Sequence, residues 1–138
     1  MDIFKWFNEE YQQNESYPES LKFETADGNV VRSKSESMIE ALLLQHNLKF
    51  KYEKPLLLGD MQYYPDYQIA HPREAKIIVW ENVGMIDSPE YLRKFILKFQ
   101  DYISSGFIPG VNLILTFETK KLPLTTERIE KIIEYYFE

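Results

Sequence analysis

The chain has 138 residues, of which 44% are hydrophobic, and carries a formal charge of −6 from 22 acidic and 16 basic side chains. This composition suits a globular protein with its own core and excludes an intrinsically disordered chain. There is no cysteine, which excludes disulfides and thiolate metal sites and fits a reducing compartment. No apolar run is long enough for a membrane span, and residues 1–13 do not read as a secretory signal. We therefore expect a cytoplasmic protein with no membrane partner.

Two elements are predicted before the region that we expect to form the core. Apolar residues at helical spacing predict a short amphipathic helix within residues 2–13. Residues 21–25 and 30–31 flank Asp27-Gly28, a dipeptide typical of hairpin turns. Residues 1–32 are thus predicted to form an N-terminal extension, made of a helix and a hairpin.

A helix followed by three strands is predicted next. Ser33 and Glu36 form a capping-box pattern, which predicts a helix from residue 33 to residue 46. Strands are predicted at residues 49–53, 63–70 and 77–80, and the last is an apolar run suited to a buried central strand.

The rest of the chain alternates between helix and strand. Ser88 and Pro89 predict a helix that ends near residue 105, before Gly106. Residues 111–117 predict a second buried strand, and Thr125 or Thr126 is expected to cap a final helix in residues 118–138.

This order of elements predicts one α/β domain over residues 1–138. A strand-helix-strand unit implies a parallel pair, whereas the preceding meander implies antiparallel neighbours. The simplest assembly is a mixed central sheet flanked by helices, with its core in residues 33–117.

Three acidic residues lie where metal chemistry could use them. Asp66 follows Pro65 within the second predicted strand, Glu81 lies at the C-terminal end of the apolar strand, and Glu36 is in the first turn of a helix. Carboxylates on adjacent strand ends can share Mg²⁺ or Mn²⁺, which activates water for attack on a phosphodiester. Each residue also has a structural interpretation: Glu36 completes a capping box, Asp66 caps a turn, and Glu81 pairs with a lysine.

The motif order resembles that of the PD-(D/E)XK nuclease superfamily. The matching segments are Arg32-Ser33-Lys34-Ser35-Glu36, Tyr52-Glu53, Tyr64-Pro65-Asp66-Tyr67 and Trp80-Glu81-Asn82-Val83-Gly84. The resemblance implies a restriction-endonuclease-like αβββαβ core over residues 33–117, as in small bacterial and phage members. It implies that Asp66 and Glu81 bind Mg²⁺ or Mn²⁺, and that Glu36 orients the attacking water.

The chain departs from the family pattern at one position. The family has lysine two residues after the second acid, where this chain has Val83. Lys94 and Lys98, one turn apart in the helix after Pro89, are candidates to replace it, since a lysine can stabilise developing phosphorane charge. Surface lysines of no catalytic role are the alternative.

Substrate contacts are predicted on either side of these acids. Arg32 and Lys34 precede Glu36 and could hold a DNA phosphate, or they could be ordinary surface charges. Gln68 shares strand parity with Asp66. Tyr63, Tyr64 and Tyr67 could stack on bases or simply pack within the sheet.

The implied function is a divalent-metal-dependent DNA nuclease. The alternative is a catalytically degenerate nuclease-like domain that binds nucleic acid or a partner protein, which Val83 and the acidic charge favour. DNA is the expected partner, and a homodimer or a helicase or targeting subunit is a further candidate.

Overall fold

A computed structural model describes residues 1–138. The α-helices are α1 Ile3–Asn8, α2 Lys34–Gln45, α3 Pro89–Ser104 and α4 Thr126–Phe137, and a short 3-10 helix spans Pro18–Ser20. The strands are β1 Phe23–Glu24, β2 Val30–Val31, β3 Phe50–Tyr52, β4 Leu56–Leu58, β5 Met61–Tyr63, β6 Tyr67–Ala70, β7 Ile77–Val83 and β8 Leu113–Phe117. No helix combines the length and the apolar character needed to cross a membrane.

A mixed four-stranded sheet forms the centre of the molecule, in the order β3-β6-β7-β8. β6 runs antiparallel to both β3 and β7, whereas β7 and β8 are parallel. The parallel pair is joined through α3, as the strand-helix-strand pattern predicted. The predicted α/β class with a mixed sheet is confirmed.

Helices cover both faces of this sheet because successive strand residues point to opposite sides. On one face, Tyr67 and Trp80 join the larger apolar cluster, to which α2 and α4 contribute. On the other face, Val79 and Leu113 pack with Tyr102 of α3 in a smaller cluster.

Capping residues fix the starts of the three long helices. The side chains of Ser33, Ser88 and Thr125 each accept a hydrogen bond from a backbone N–H in the first turn of α2, α3 and α4. Gly106 follows α3 with a φ of 90°, a backbone conformation that favours glycine at a helix end. These predicted boundaries are confirmed.

The helix predicted within residues 2–13 is shorter than expected. It ends at Asn8, and none of its residues is buried. A helix of this length without a buried face has little to stabilise further turns. The chain beyond it lies against β3, where the Tyr11 hydroxyl donates to the carbonyl of Tyr52 at 2.7 Å.

Two strand predictions are corrected by the structure. Residues 63–70 are not one strand: Pro65 and Asp66 separate β5 from β6, and β5 instead forms a hairpin with the unpredicted β4. Glu81 lies inside β7 rather than at its end, because pairing with β8 continues as far as Val83 and Phe117.

Candidate active site

Asp66 and Glu81 lie side by side where β6 begins. Tyr67 pairs with Trp80 in the antiparallel register, which brings the preceding Asp66 next to Glu81. The backbone N–H of Asp66 donates to Glu81 Oε1 at 3.1 Å, and the N–H of Asn82 donates to Asp66 Oδ2 at 2.8 Å. These reciprocal bonds between strands fix both carboxyl groups at one end of the sheet.

Lys98 reaches the same point from α3. Its Nζ donates to Glu81 Oε2 at 2.7 Å, and it lies 5.6 Å from the centroid of the Tyr63 ring. Glu81 is 6% exposed, so this ion pair is largely shielded from water. Of the two candidate lysines, the structure brings Lys98 to the acids.

Glu36 approaches from the opposite face of the sheet, at the start of α2. Its Oε1 accepts hydrogen bonds from the N–H of Arg32 at 3.0 Å and from the hydroxyl of Tyr52 at 2.9 Å. Ser33 caps the helix as predicted, but Glu36 turns back to Arg32 rather than to the N-cap residue. The carboxyl groups of Glu36 and Asp66 lie close enough for each to shift the pKa of the other, which places the third predicted acid at the site.

Three carboxyl groups and one ammonium group therefore share a small, partly buried volume. Burial, followed by the negative charges of Glu36 and Glu81, raises the pKa of Asp66 well above its ordinary value. Burial also raises the pKa of Glu36, against the lowering effect of the Tyr52 and Arg32 hydrogen bonds and of the neighbouring Asp66 carboxyl. Burial alone would lower the pKa of Lys98, but the charge of Glu81 and its hydrogen bond give a net increase.

The donor set suits a hard divalent cation. Carboxylate oxygens are the ligands that Mg²⁺ prefers, and it commonly takes one or two of them while keeping several waters. Burial, and after it the negative charges of Glu36 and Glu81, raise the pKa of Asp66, and a cation between these acids would offset both effects. No three His, Asp or Glu side chains are arranged as a ready metal-binding group, so the fit rests on Asp66 and Glu81.

Two tyrosines of α3 complete the surroundings, and neither was predicted as a site residue. Burial and the charges of Asp66 and Glu81 raise the pKa of Tyr91. Tyr102 is 0% exposed and lies one helical turn after Lys98. Positions 91, 98 and 102 are spaced so that they share one face of a helix. This spacing is the sequence signal from which the two tyrosines could have been placed beside Lys98.

Other predicted residues lie outside this constellation. Lys94 is exposed and its Nζ lies 3.8 Å from Glu90, so it faces solvent rather than the acids. Gln68 is buried and donates to the carbonyl of Lys54 at 2.9 Å. Lys34 is exposed in the first turn of α2, next to the site.

Arg32 is fully engaged within the protein. Its guanidinium makes two contacts with Glu53, at 2.6 Å and 3.3 Å, and donates to Ser20 Oγ and to the carbonyls of Asn14 and Tyr17. These bonds use all five of its side-chain N–H groups, which leaves none for a phosphate. The geometry favours a structural role for Arg32, whose backbone N–H also donates to Glu36.

Val83, at the position where the PD-(D/E)XK pattern has lysine, is 1% exposed. It lies two residues after Glu81 on β7, so the two side chains share a face of the sheet. Lys98 approaches Glu81 on this face, from the α3 side.

A cleft of about 530 Å³ lies at the other end of the sheet, beside Ala70 and His71. It shares no lining residue with the acidic site, and both polar and apolar side chains line it.

The chain matches no family model, no curated protein and no solved structure. Functional inference therefore depends on the geometry of the site.

Proposed function

We propose that this protein is a divalent-metal-dependent nuclease that hydrolyses phosphodiester bonds in DNA. The observation that carries the proposal is the pairing of Asp66 and Glu81 on adjacent strands, with Lys98 bound to Glu81 at 2.7 Å. We assign the fold to the restriction-endonuclease-like class, because α2, β3, β6, β7, α3 and β8 follow the αβββαβ order of PD-(D/E)XK nucleases.

Asp66 and Glu81 would hold Mg²⁺ or Mn²⁺. The bound cation would polarise the phosphate and activate water as the nucleophile. Glu36, whose carboxyl group lies close to that of Asp66, would orient that water from the α2 side. Lys98 takes the role of the missing family lysine, since its ammonium group is held at the acids and can stabilise charge that develops on the phosphate.

The net negative charge of the chain comes from its terminal segments rather than from the residues between them. This distribution supports an anionic substrate. Residues 1–30 contain seven acidic and two basic side chains, and residues 125–138 contain four acidic and two basic ones. The intervening residues 31–124 contain eleven acidic and twelve basic side chains. Several of those eleven acids are buried, at positions 36, 40, 53 and 81, so the surface of the core is more basic than the total suggests.

Four lysines without ion pairs surround the acidic end of the sheet and form what we call the lysine rim: Lys34, Lys54, Lys120 and Lys121. Lys54 adjoins Glu53, whose N–H donates to the Asp66 carbonyl at 3.1 Å. Lys120 lines a shallow cleft with Gly84 and Met85, just beyond β7. Phosphate contacts position DNA without reading its sequence, and this rim is placed to supply them.

DNA cleavage in the presence of Mg²⁺ or Mn²⁺ tests the proposal. The parent protein should cut DNA, chelator should stop the reaction, and Asp66→Ala and Glu81→Ala should each abolish it. Lys94→Ala is the matched control, because this exposed lysine lies on the same helix as Lys98 but faces solvent. Cleavage that survives both acid substitutions would refute the assignment of the site.

A binding domain without catalytic activity is the second candidate, which the buried Val83 at the family lysine position favours. Titration calorimetry with Mn²⁺ distinguishes the two functions. A catalytic site should show saturable binding that Asp66→Ala removes, whereas a degenerate site should bind DNA but show no saturable Mn²⁺ binding.

A further inference from the structure

One buried polar atom in the protein has no hydrogen-bond partner, the hydroxyl oxygen of Tyr102. Buried hydroxyl groups are almost always hydrogen-bonded, because an unpaired one has lost water and gained nothing in exchange. This group therefore lowers the stability of the fold in the arrangement described here. Such a cost is typical of residues retained for function.

The Tyr102 hydroxyl lies against the acidic site. Burial raises the pKa of Tyr102, followed by the negative charges of Glu81 and Asp66 and by the closeness of the hydroxyl to the Glu81 carboxylate, although no hydrogen bond of normal geometry joins the two groups. Its ring is held by Val79 and Leu113 of the sheet and by an edge contact with Phe107 at 5.9 Å between ring centroids. The side chain is therefore fixed with its only polar group beside Glu81.

Lys98 already supplies a charged donor to the carboxylate nearest the Tyr102 hydroxyl. It lies one turn earlier on α3 and occupies Glu81 Oε2 at 2.7 Å, while Glu81 Oε1 accepts the N–H of Asp66. Both oxygens of Glu81 thus already have a donor. If Lys98 moves to a substrate phosphate, Glu81 Oε2 loses its hydrogen-bond partner. The Tyr102 hydroxyl is then the donor that is already present beside Glu81.

We propose that Tyr102 is a positioning residue that donates to Glu81 when Lys98 leaves that carboxylate for an anionic substrate. This inference rests on the proposed function for the role of Lys98. The exchange keeps Glu81 oriented and hydrogen-bonded, so that the carboxylate does not turn away from the cation while Lys98 is engaged.

A thermal double-mutant cycle tests the exchange without any nuclease assay. In the parent background, Tyr102→Phe should leave the melting temperature unchanged or raise it, because it removes an unpaired hydroxyl. In a Lys98→Met background, Tyr102 is expected to be the remaining side-chain donor to Glu81, and the same substitution should lower the melting temperature by about 3 °C. Equal effects in the two backgrounds would overturn the proposal.

Tyr136→Phe is the matched control for this cycle. The Tyr136 hydroxyl accepts the N–H of Gly110 and donates to the carbonyl of Leu113, each at 2.9 Å, far from the acids. Its loss should lower the melting temperature by the same amount in both backgrounds.

Kinetics provide a second readout if Lys98→Met does not fold. Tyr102→Phe in the parent background should reduce kcat for DNA cleavage by roughly 10-fold with KM unchanged, and it should not lower the melting temperature. A lowered melting temperature with unchanged kcat would show that Tyr102 is only a packing residue. An inactive parent protein would count against the proposed function, while the thermal cycle would still decide whether Tyr102 and Lys98 share Glu81.

Discussion

Lys98 is the residue on which the proposed nuclease chemistry depends most. Position 83, where PD-(D/E)XK nucleases have lysine, holds a buried valine, and the site contains three carboxyl groups. The Lys98 ammonium is the only positive charge bonded to Glu81. Without it, the buried carboxylate would lose its ion pair, and charge developing on a phosphate would lose a stabilising group.

Lys98→Met should slow metal-dependent DNA cleavage by about 100-fold, since it removes a charge directed at the reaction centre. It should also lower the free energy of unfolding by up to about 3 kcal/mol, because it removes the charged partner of a largely buried carboxylate. Single-turnover cleavage and urea titration measure the two effects. Lys94→Met should change neither, and similar losses in both variants would contradict the role of Lys98.

The sequence indicated the acids of the site but not all of their partners. Asp66 and Glu81 could be predicted because they adjoin β-prone segments that are close along the chain. The choice between Lys94 and Lys98 could not, since one helical turn separates them and only packing against the sheet decides which points inward. Arg32 looked like a phosphate ligand because its pairing with Glu53, 21 residues later, has no local signature.

At the scale of secondary-structure elements, the β1-β2 hairpin is attached to α2 through a pair of acids. Asn29 of the hairpin donates to Glu40 Oε2 at 3.1 Å, and Tyr67 of β6 donates to Glu40 Oε1 at 3.0 Å. The same amide of Asn29 also donates to Asp27 Oδ2 at 3.4 Å, which brings the carboxyl groups of Glu40 and Asp27 together. Burial and the neighbouring Asp27 carboxyl raise the pKa of Glu40 to about 7.

This pair predicts how the stability of the hairpin contact depends on pH. The folded protein binds the proton of Glu40 more tightly than the unfolded chain does. The contribution of this proton to the free energy of unfolding is therefore complete below pH 4.5 and is lost as the pH rises through 7. Glu40→Gln should reduce the slope of the free energy of unfolding against pH. It should also stabilise the protein at pH 8 by about 1 kcal/mol, because an amide can donate to Asp27 at any pH. Denaturant titrations between pH 5 and 8 measure this. Glu24→Gln, an exposed acid on the same hairpin, should retain the parent slope.

Elements with a capping signature were predictable, whereas the short strands were not. Ser33, Ser88 and Thr125 each satisfy backbone N–H groups locally, so the sequence around them fixes where a helix begins. β4 and β5 have three residues each, and their pairing depends on a turn and on packing against α3. Residues 63–70 have continuous β propensity, and only tertiary structure shows that Pro65 divides them.

At the scale of the whole molecule, charge is separated between the two termini and the core. The acidic terminal segments account for the negative total, while the lysine rim surrounds the carboxylates at one end of the sheet. A protein with this distribution can bind a polyanion at one end despite its net charge.

The lysine rim predicts the salt dependence of DNA binding. Replacing Lys120 and Lys121 by glutamine should reduce the slope of log affinity against log salt by about 1.8 for duplex DNA, because two phosphate contacts are lost. Fluorescence anisotropy in Ca²⁺, over a series of salt concentrations, measures the slope. Lys131→Gln should leave the slope unchanged, because this lysine lies on the solvent side of α4 beside Glu134. An unchanged slope in the double variant would remove these lysines from the binding surface.

The most direct test of the account is single-turnover cleavage of labelled DNA in Mn²⁺ by the parent protein and by Asp66→Asn, purified in parallel. Asparagine keeps the size of the side chain and still accepts the N–H of Asn82, but it removes a charged ligand. We predict cleavage by the parent that requires Mn²⁺, and none by Asp66→Asn. Equal cleavage by the two proteins, or none by a folded parent, would contradict the assignment of Asp66, Glu81 and Lys98 as a nuclease site.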